Sequence, residues 1–346
     1  MMWRWVLPGA VVVAVLIGFL ASRNGPTQHT QAHAPPTITT PPTTAAPVVT
    51  PTCGTKEPPR VKVRHVVWIW MGTQGYAHVI GKLRVAPYIN QLAQACGLAT
   101  RYTAITHPAI ANDVGVLAGD THGLVHNSCG TACTTTAPSL LSQVRSWRAF
   151  IGGMPGACRK LEAVQADYSR LSNPPTYVTP PRCAKFDLPL GTPKQGPLER
   201  VIAQNALPAF TLIVPGGCQN SGFDKHCTGK KKRSAFLARA DLWLRSWINV
   251  LTKSPAYKSG STVVFVTWNQ GAPAKPLRID CTTRAAGGTC QVPLIVVSPY
   301  VKPGTAVPTR LSHYSLLGAT ERLLGVPRLG HAAGPSGQSL LRAFGL

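Results

Sequence analysis

The segment VVFVTWNQGAPAKP, Val263–Pro276, begins with β-branched and aromatic residues, passes through Thr267, Trp268, Asn269 and Gln270, and ends in a loop rich in small residues and proline. An unbroken apolar run of this kind fits a strand covered on both faces, as in a parallel sheet between layers of helix. Three more runs read the same way: VRHVVWIWM (Val63–Met71), AFTLIVP (Ala209–Pro215) and VPLIVVSP (Val292–Pro299). Helical patterns lie between them. APYINQLAQAC (Ala86–Cys96) is one, and PSLLSQVRSW (Pro138–Trp147), with proline suited to a first turn, is another. In SAFLARADLWLRSWINVLTKS (Ser234–Ser254), Leu237, Leu244, Trp247, Ile248 and Leu251 share a stripe, with Arg239, Asp241 and Arg245 off it and Ser234 as an expected N-cap. SHYSLLGATERLLGVP (Ser312–Pro327) closes the series, Gly325 and Pro327 marking its stop. Alternating strands and helices predict an α/β fold, a three-layer sandwich around a mainly parallel sheet. Such sheets bind ligands at the carboxyl ends of their strands, so the informative residues follow Met71 and Trp268.

The 346-residue chain divides into three stretches. Residues 1–24 carry Arg4 and an apolar run from Trp5 to Ala21, which reads as a signal sequence or a membrane anchor. Cleavage after Ala21 or Ser22 would place Phe19 or Leu20 at −3, where a small residue is needed, and this favours the uncleaved anchor. Residues 25–52 form a Pro/Thr-rich linker whose composition cannot bury a core. Residues 53–346 are one folded domain with all ten cysteines. An even count beyond an N-terminal targeting segment predicts disulfides, and pairing neighbours gives Cys53–Cys96, Cys129–Cys133, Cys158–Cys183, Cys218–Cys227 and Cys281–Cys290. The expected location is extracytoplasmic, membrane-anchored or secreted.

Lysine and arginine total 35 against 11 acids, a formal charge of +24. Such a field attracts polyanions, among them acidic lipid, cell-wall polymer and phosphorylated ligands. No zinc-finger spacing or RNA-binding signature is present, so nucleic acid is not an expected partner. The run GKKKRS, Gly229–Ser234, places four cations before the long helical pattern, as a solvated loop or as a contact for lipid headgroups.

Three stretches line up together: HVVWIWMGTQGYAHVIG (His65–Gly81), APYINQLAQACGLATRYTAITHPAIANDVGVLAGDTHG (Ala86–Gly123), and the run from VVFVTWNQ through VPLIVVSPYVKPGTAVPTRLSHYSLLGATERLLGVPRLG. In order and spacing the chain resembles the bacterial phosphoesterase family of secreted acid phosphatases and phospholipase C-like enzymes. The resemblance implies an alkaline-phosphatase-like fold and a metal-assisted phosphoester hydrolase. It also implies where that site should lie, and there this chain departs from the pattern. The family's Glu-Asn after the first strand is Gly72-Thr73, the hydroxyl of its T-H-P-S-x-P-N loop is Ala109, and its Asp-Glu after the later strand is Asn269-Gln270. His107, Pro108, Asn112, His313 and Tyr314 keep the family's residue types. The segment QNSGFDKHC, with Asp224 and His226, has no secure counterpart.

These departures bear on chemistry. A hard divalent cation needs anionic oxygens to offset its dehydration, and neutral amides supply little. None of the 11 acids falls on a matched ligand position; Asp113, beside Asn112, can point inward, but a residue there more often caps a helix or faces solvent. Ala109 has no oxygen to attack with. The expectation is a vestigial pocket of Thr73, His107, Asn112, Asn269, Gln270 and His313. No metal or other cofactor is expected, and the pocket would bind a phosphorylated or polyanionic ligand through amide and imidazole donors. Two alternatives stand beside it: an active hydrolase using the Thr73 hydroxyl and a histidine, and a basic cell-envelope binding module.

Overall fold

The computed structural model describes residues 52–57, 60–128, 130–163, 167–222, 227, 232–271, 279–283 and 287–346. The N-terminal segment 1–24 and all but the last residue of the linker lie outside the described residues. Eight strands form the main sheet: β1 (His65–Thr73), β2 (Gly97–Ala99), β3 (Trp147–Ile151), β4 (Asp187–Pro189), β5 (Phe210–Val214), β6 (Thr262–Gln270), β7 (Leu294–Val297) and β8 (Thr305–Val307). The principal helices are α1 (Pro87–Ala95), α2 (Ala109–Ala118), α3 (Pro197–Ala203), α4 (Arg233–Lys253), α5 (His313–Leu324) and α6 (Ser336–Ala343). The sheet order is β8-β2-β7-β6-β1-β5-β3-β4.

Central position explains the unbroken apolar sequences. Every residue of β6 is buried, and Trp68, Trp70 and Trp268 are at most 2% exposed. Their indole N–H groups find acceptors: Trp68 donates to Thr320 Oγ1 at 3.0 Å and Trp268 to Ser221 Oγ at 2.7 Å. Burying side chains of this size stabilises by about 1.5–3 kcal/mol each. α2 and α5 pack over β6 and β1, while α1 and α4 pack together beside β2 and β7. On α4, Leu237, Leu244, Trp247, Ile248 and Leu251 are all buried, as the stripe requires.

Four expectations change. VPLIVVSP forms β7, but β7 runs antiparallel to β6 and β2. Apolar continuity reports burial on both faces and carries no direction; the connection from β6 to β7 contains the Cys281–Cys290 bridge. PSLLSQVRSW makes only one helical turn, Leu140–Gln143, before its final tryptophan opens β3. α4 begins at Arg233, so Ser234 lies inside the helix and makes no cap. Asp241 is not on a solvated face: it is 3% exposed and accepts the backbone N–H groups of Tyr88 and Ile89 at 3.2 and 2.7 Å. It thereby caps α1, whose own N-cap position is Ala86 and offers no side-chain acceptor.

Four of the expected bridges are formed: Cys53–Cys96, Cys158–Cys183, Cys218–Cys227 and Cys281–Cys290. The fifth pairing involves Cys129, outside the described residues. Several disulfides fit a protein of an oxidising, extracytoplasmic compartment. No helix among the described residues is long and apolar enough to cross a membrane.

Candidate functional site

β1 and β6 run parallel in a register that sets Thr73 opposite Gln270, so their carboxyl ends finish level. A cavity of about 450 Å3 opens there. Its walls include Gly72, Thr73 and Gln74 after β1, Asn269 and Gln270 at the end of β6, and Ala109 at the start of α2. Asn220, Ser169 and Arg233 complete the rim. The matched positions Gly72, Thr73, Ala109, Asn269 and Gln270 thus meet on one cavity, brought together by two adjacent strands and a helix N-terminus.

The amides are turned into the protein. Gln270 Nε2 donates to Thr73 Oγ1 at 3.2 Å. Asn269 Nδ2 donates to Asp113 Oδ1 at 2.6 Å and lies 3.4 Å from the Ala109 carbonyl. The donors expected to face a ligand are therefore already engaged. Asp113 is fully buried, so of its two expected placements the inward one holds and the cap or surface acid does not. The reason is local: the Trp70 indole donates to the same Oδ1 at 2.8 Å, so two N–H groups replace water. Burial pushes the Asp113 carboxyl well above its ordinary range, against the pull of those two bonds.

Three of the six pocket residues do not line the cavity. Asn112 fastens the loop ahead of α2, accepting from the N–H groups of Ile105 and Thr106 at 2.8 and 3.1 Å and donating to the Thr106 carbonyl at 2.7 Å. His313 is fully buried between the Asn269 carbonyl and the Tyr102 hydroxyl, each 2.8 Å from a ring nitrogen. Burial pushes its pKa down to about 4, the Asn269 hydrogen bond opposing, so the ring is neutral near pH 7. His107 is 5% exposed, and burial lowers its pKa against hydrogen bonding with the Thr289 backbone and Gln270. Asp224 and His226 lie outside the described residues.

The described wall residues do not by themselves fit a divalent cation. Among the described residues, no carboxylate lines the cavity. Asp113 behind it has Oδ1 occupied by two donors, the Trp70 indole and the Asn269 amide. At Gly72 an added Cβ would meet Asn220 Cγ and Oδ1 at 2.8 Å, so the space for a side chain there is already filled. Elsewhere among the described residues the clusters of ligand type are Cys158, Cys183, Asp187 and Asp167, Cys218, Cys227, whose cysteines are disulfide-bonded and offer no thiolate. What the site does offer is positive potential. Arg233 lines the rim, and the N-terminus of α2 points its partial positive charge inward. Sequence reading missed Gln74 and the role of Asn220; Arg233 stood at the end of the noted GKKKRS run.

An α/β sandwich with its cavity at this strand edge is the architecture of alkaline-phosphatase-type enzymes, and the chain belongs to the Phosphoesterase family, whose pattern matches residues 64–327. It is 26% identical over 277 residues to phosphatidylinositol-3-phosphatase of Mycobacterium tuberculosis, covering 78% of this chain and 79% of that protein. Among solved structures it is similar to an alkaline phosphatase superfamily protein of Vibrio parahaemolyticus (TM-score 0.52, 13% identity, 84% of this chain and 74% of that one). It is also similar to a protein of glycosaminoglycan metabolism from Bacteroides thetaiotaomicron (TM-score 0.55, 14% identity, 82% of each chain). At these identities the structural likeness speaks for the fold alone.

Proposed function

We propose that this phosphoesterase-family chain acts outside the cytoplasm, tethered by its N-terminal segment, as a catalytically impaired relative that binds a phosphorylated or polyanionic ligand at the β1–β6 edge without a metal. One observation carries the reading: where metal-assisted hydrolysis needs carboxylates and a nucleophile, the cavity has Gly72, Ala109, Asn269 and Gln270. Arg233 and the start of α2 supply the attraction for an anion. The Thr73 hydroxyl is the remaining oxygen nucleophile at the end of β1, and its partner is the Gln270 amide, which cannot take up a proton as a base does. The Mycobacterium tuberculosis relative is named as a phosphatase, and this favours the competing reading of retained hydrolysis through Thr73.

The full chain in detergent separates the two. Turnover of a chromogenic phosphomonoester and a phosphodiester is measured with chelator and with added magnesium, manganese or zinc, alongside elemental analysis for bound metal. The expected result is background turnover in every condition and inorganic phosphate binding that weakens at high salt. Turnover abolished by Thr73→Ala, or a stoichiometric divalent ion in the purified protein, overturns the reading.

A further inference from the structure

Four of the described acids of this protein are hidden, and all but one of its described lysines and arginines are not. Asp113, Asp187, Asp241 and Glu321 are at most 3% exposed, whereas Arg170 is the one buried lysine or arginine among the described residues. The exterior is therefore more basic than the formal +24 states. That charge has a focus beside the cavity. Arg233 lines its rim, Lys232 next to it is exposed, and both continue the GKKKRS run. From the cavity wall at Thr73 and Gln74 the chain makes one helical turn, Tyr76–Val79, and the Lys82 N–H then lies 3.4 Å from the Val79 carbonyl, so the next turn starts from the same strand edge; Arg233 and Lys82 also lower the His78 pKa, behind the larger effect of burial.

Lys82 opens an exposed turn, Lys82-Leu83-Arg84, and Leu83 is 58% exposed. A lone exposed leucine is ordinary on a protein surface. A leucine held out between two cations, next to further cations at a cavity mouth, has the composition of an interfacial contact: an apolar tip for the acyl boundary and positive charge for anionic headgroups. A charged polymer in water would gain from the cations and nothing from Leu83, so the apolar tip favours a bilayer.

We propose that the Lys82–Arg84 turn, together with Lys232 and Arg233, docks on an anionic lipid surface, inserting Leu83 and turning the cavity towards the headgroups. This goes beyond the binding function proposed above and holds whether or not the cavity hydrolyses its ligand. The geometry provides its own control. Val61, 46% exposed between Arg60 and Lys62, has the same kind of sequence at the opposite, amino end of β1.

The test uses the full chain reconstituted in nanodiscs, with backbone hydrogen exchange as readout. In discs containing phosphatidylglycerol at low salt, exchange at residues 83–84 should be slowed about 10-fold or more relative to pure phosphatidylcholine discs, with residues 60–62 unchanged. About 0.5 M salt should remove much of the difference, since screening at that strength is short-ranged. Leu83→Ser and the pair Lys82→Glu/Arg84→Glu should each abolish it; the substituted side chains are solvent-exposed, and melting curves check that the fold is kept. Slowing that survives Leu83→Ser but not the charge reversal would mean contact through charge alone, as a polymer makes, and overturns insertion. Equal exchange in both lipids, or protection at residues 60–62 instead, overturns the docking face.

Discussion

The Gly72 N–H donates to the Asn220 carbonyl at 2.7 Å, and that same oxygen would lie 2.9 Å from a Cβ at position 72. Backbone pairing and side-chain exclusion thus come from one contact: Asn220 is tied against β1 and fills the volume where the family pattern projects a carboxylate. Gly72→Ala should therefore destabilise by about 1–3 kcal/mol, the usual cost of overpacking, read as a lower urea midpoint with an unchanged slope. Adding Asn220→Gly should recover only part of that loss, because the main-chain oxygen remains. An unaltered midpoint in Gly72→Ala would refute the close approach. The absence of carboxylates at the strand ends was legible from sequence because residue type and strand position coincide at Asn269 and Gln270. The role of Asn220 was not: it stood within the noted QNSGFDKHC segment, which had no secure counterpart, and it reaches Gly72 from a distant loop. Nor was the burial of Asp113, whose neighbours in sequence suggest a cap while its actual partners, Trp70 and Asn269, come from two other strands.

At the level of elements, α1 depends on α4. Its first backbone N–H groups are met by Asp241, a buried carboxylate whose pKa is raised by burial against the hydrogen bonds from Ile89 and Tyr88 and the charge of Arg245. Asp241→Ala leaves these N–H groups without an acceptor and should cost about 1–2 kcal/mol, in the range of a lost N-cap. Asp241→Asn, which keeps one acceptor oxygen, should cost less. Chemical denaturation gives the cost, and faster hydrogen exchange at Tyr88 and Ile89 locates it; an Asp241→Ala protein with unchanged exchange there would show that α1 is capped in another way. The four buried strands were readable from unbroken apolar runs, and the stripe on α4 from its period. What those patterns omit is partnership: the reversal of β7 shows only in its pairing with β6 and β2, β3 hides behind a helical-looking stretch, and Asp241 reads as a surface acid until the N-terminus of α1 is placed against it.

Over the whole molecule, burying titratable groups makes stability depend on pH, each group in its own direction. Burial raises the Asp187 carboxyl from an ordinary 3.8 to about 7, with the Asn173 amide, 2.9 Å away, opposing. A carboxyl whose folded pKa lies above its unfolded value binds more protons when folded, so its contribution falls as pH rises through that interval. Glu321, raised to about 7 chiefly by burial, acts in the same sense. His313 acts in the opposite sense, because a ring pushed from 6.5 down to about 4 favours the folded state increasingly as pH climbs across that range. Asp187→Asn separates these effects. It keeps a carbonyl oxygen for Asn173 and cannot ionise, so its advantage over the parent should be absent near pH 4, grow towards pH 7, and level off above it at a few kcal/mol, the order set by about 1.4 kcal/mol per pKa unit. Urea titrations of both proteins between pH 4 and 8 measure that difference. A gap independent of pH would mean that Asp187 carries no buried charge at neutral pH to be relieved, whereas a gap that opens in the predicted window ties the neutralised interior to the same partition of charge that leaves the exterior basic.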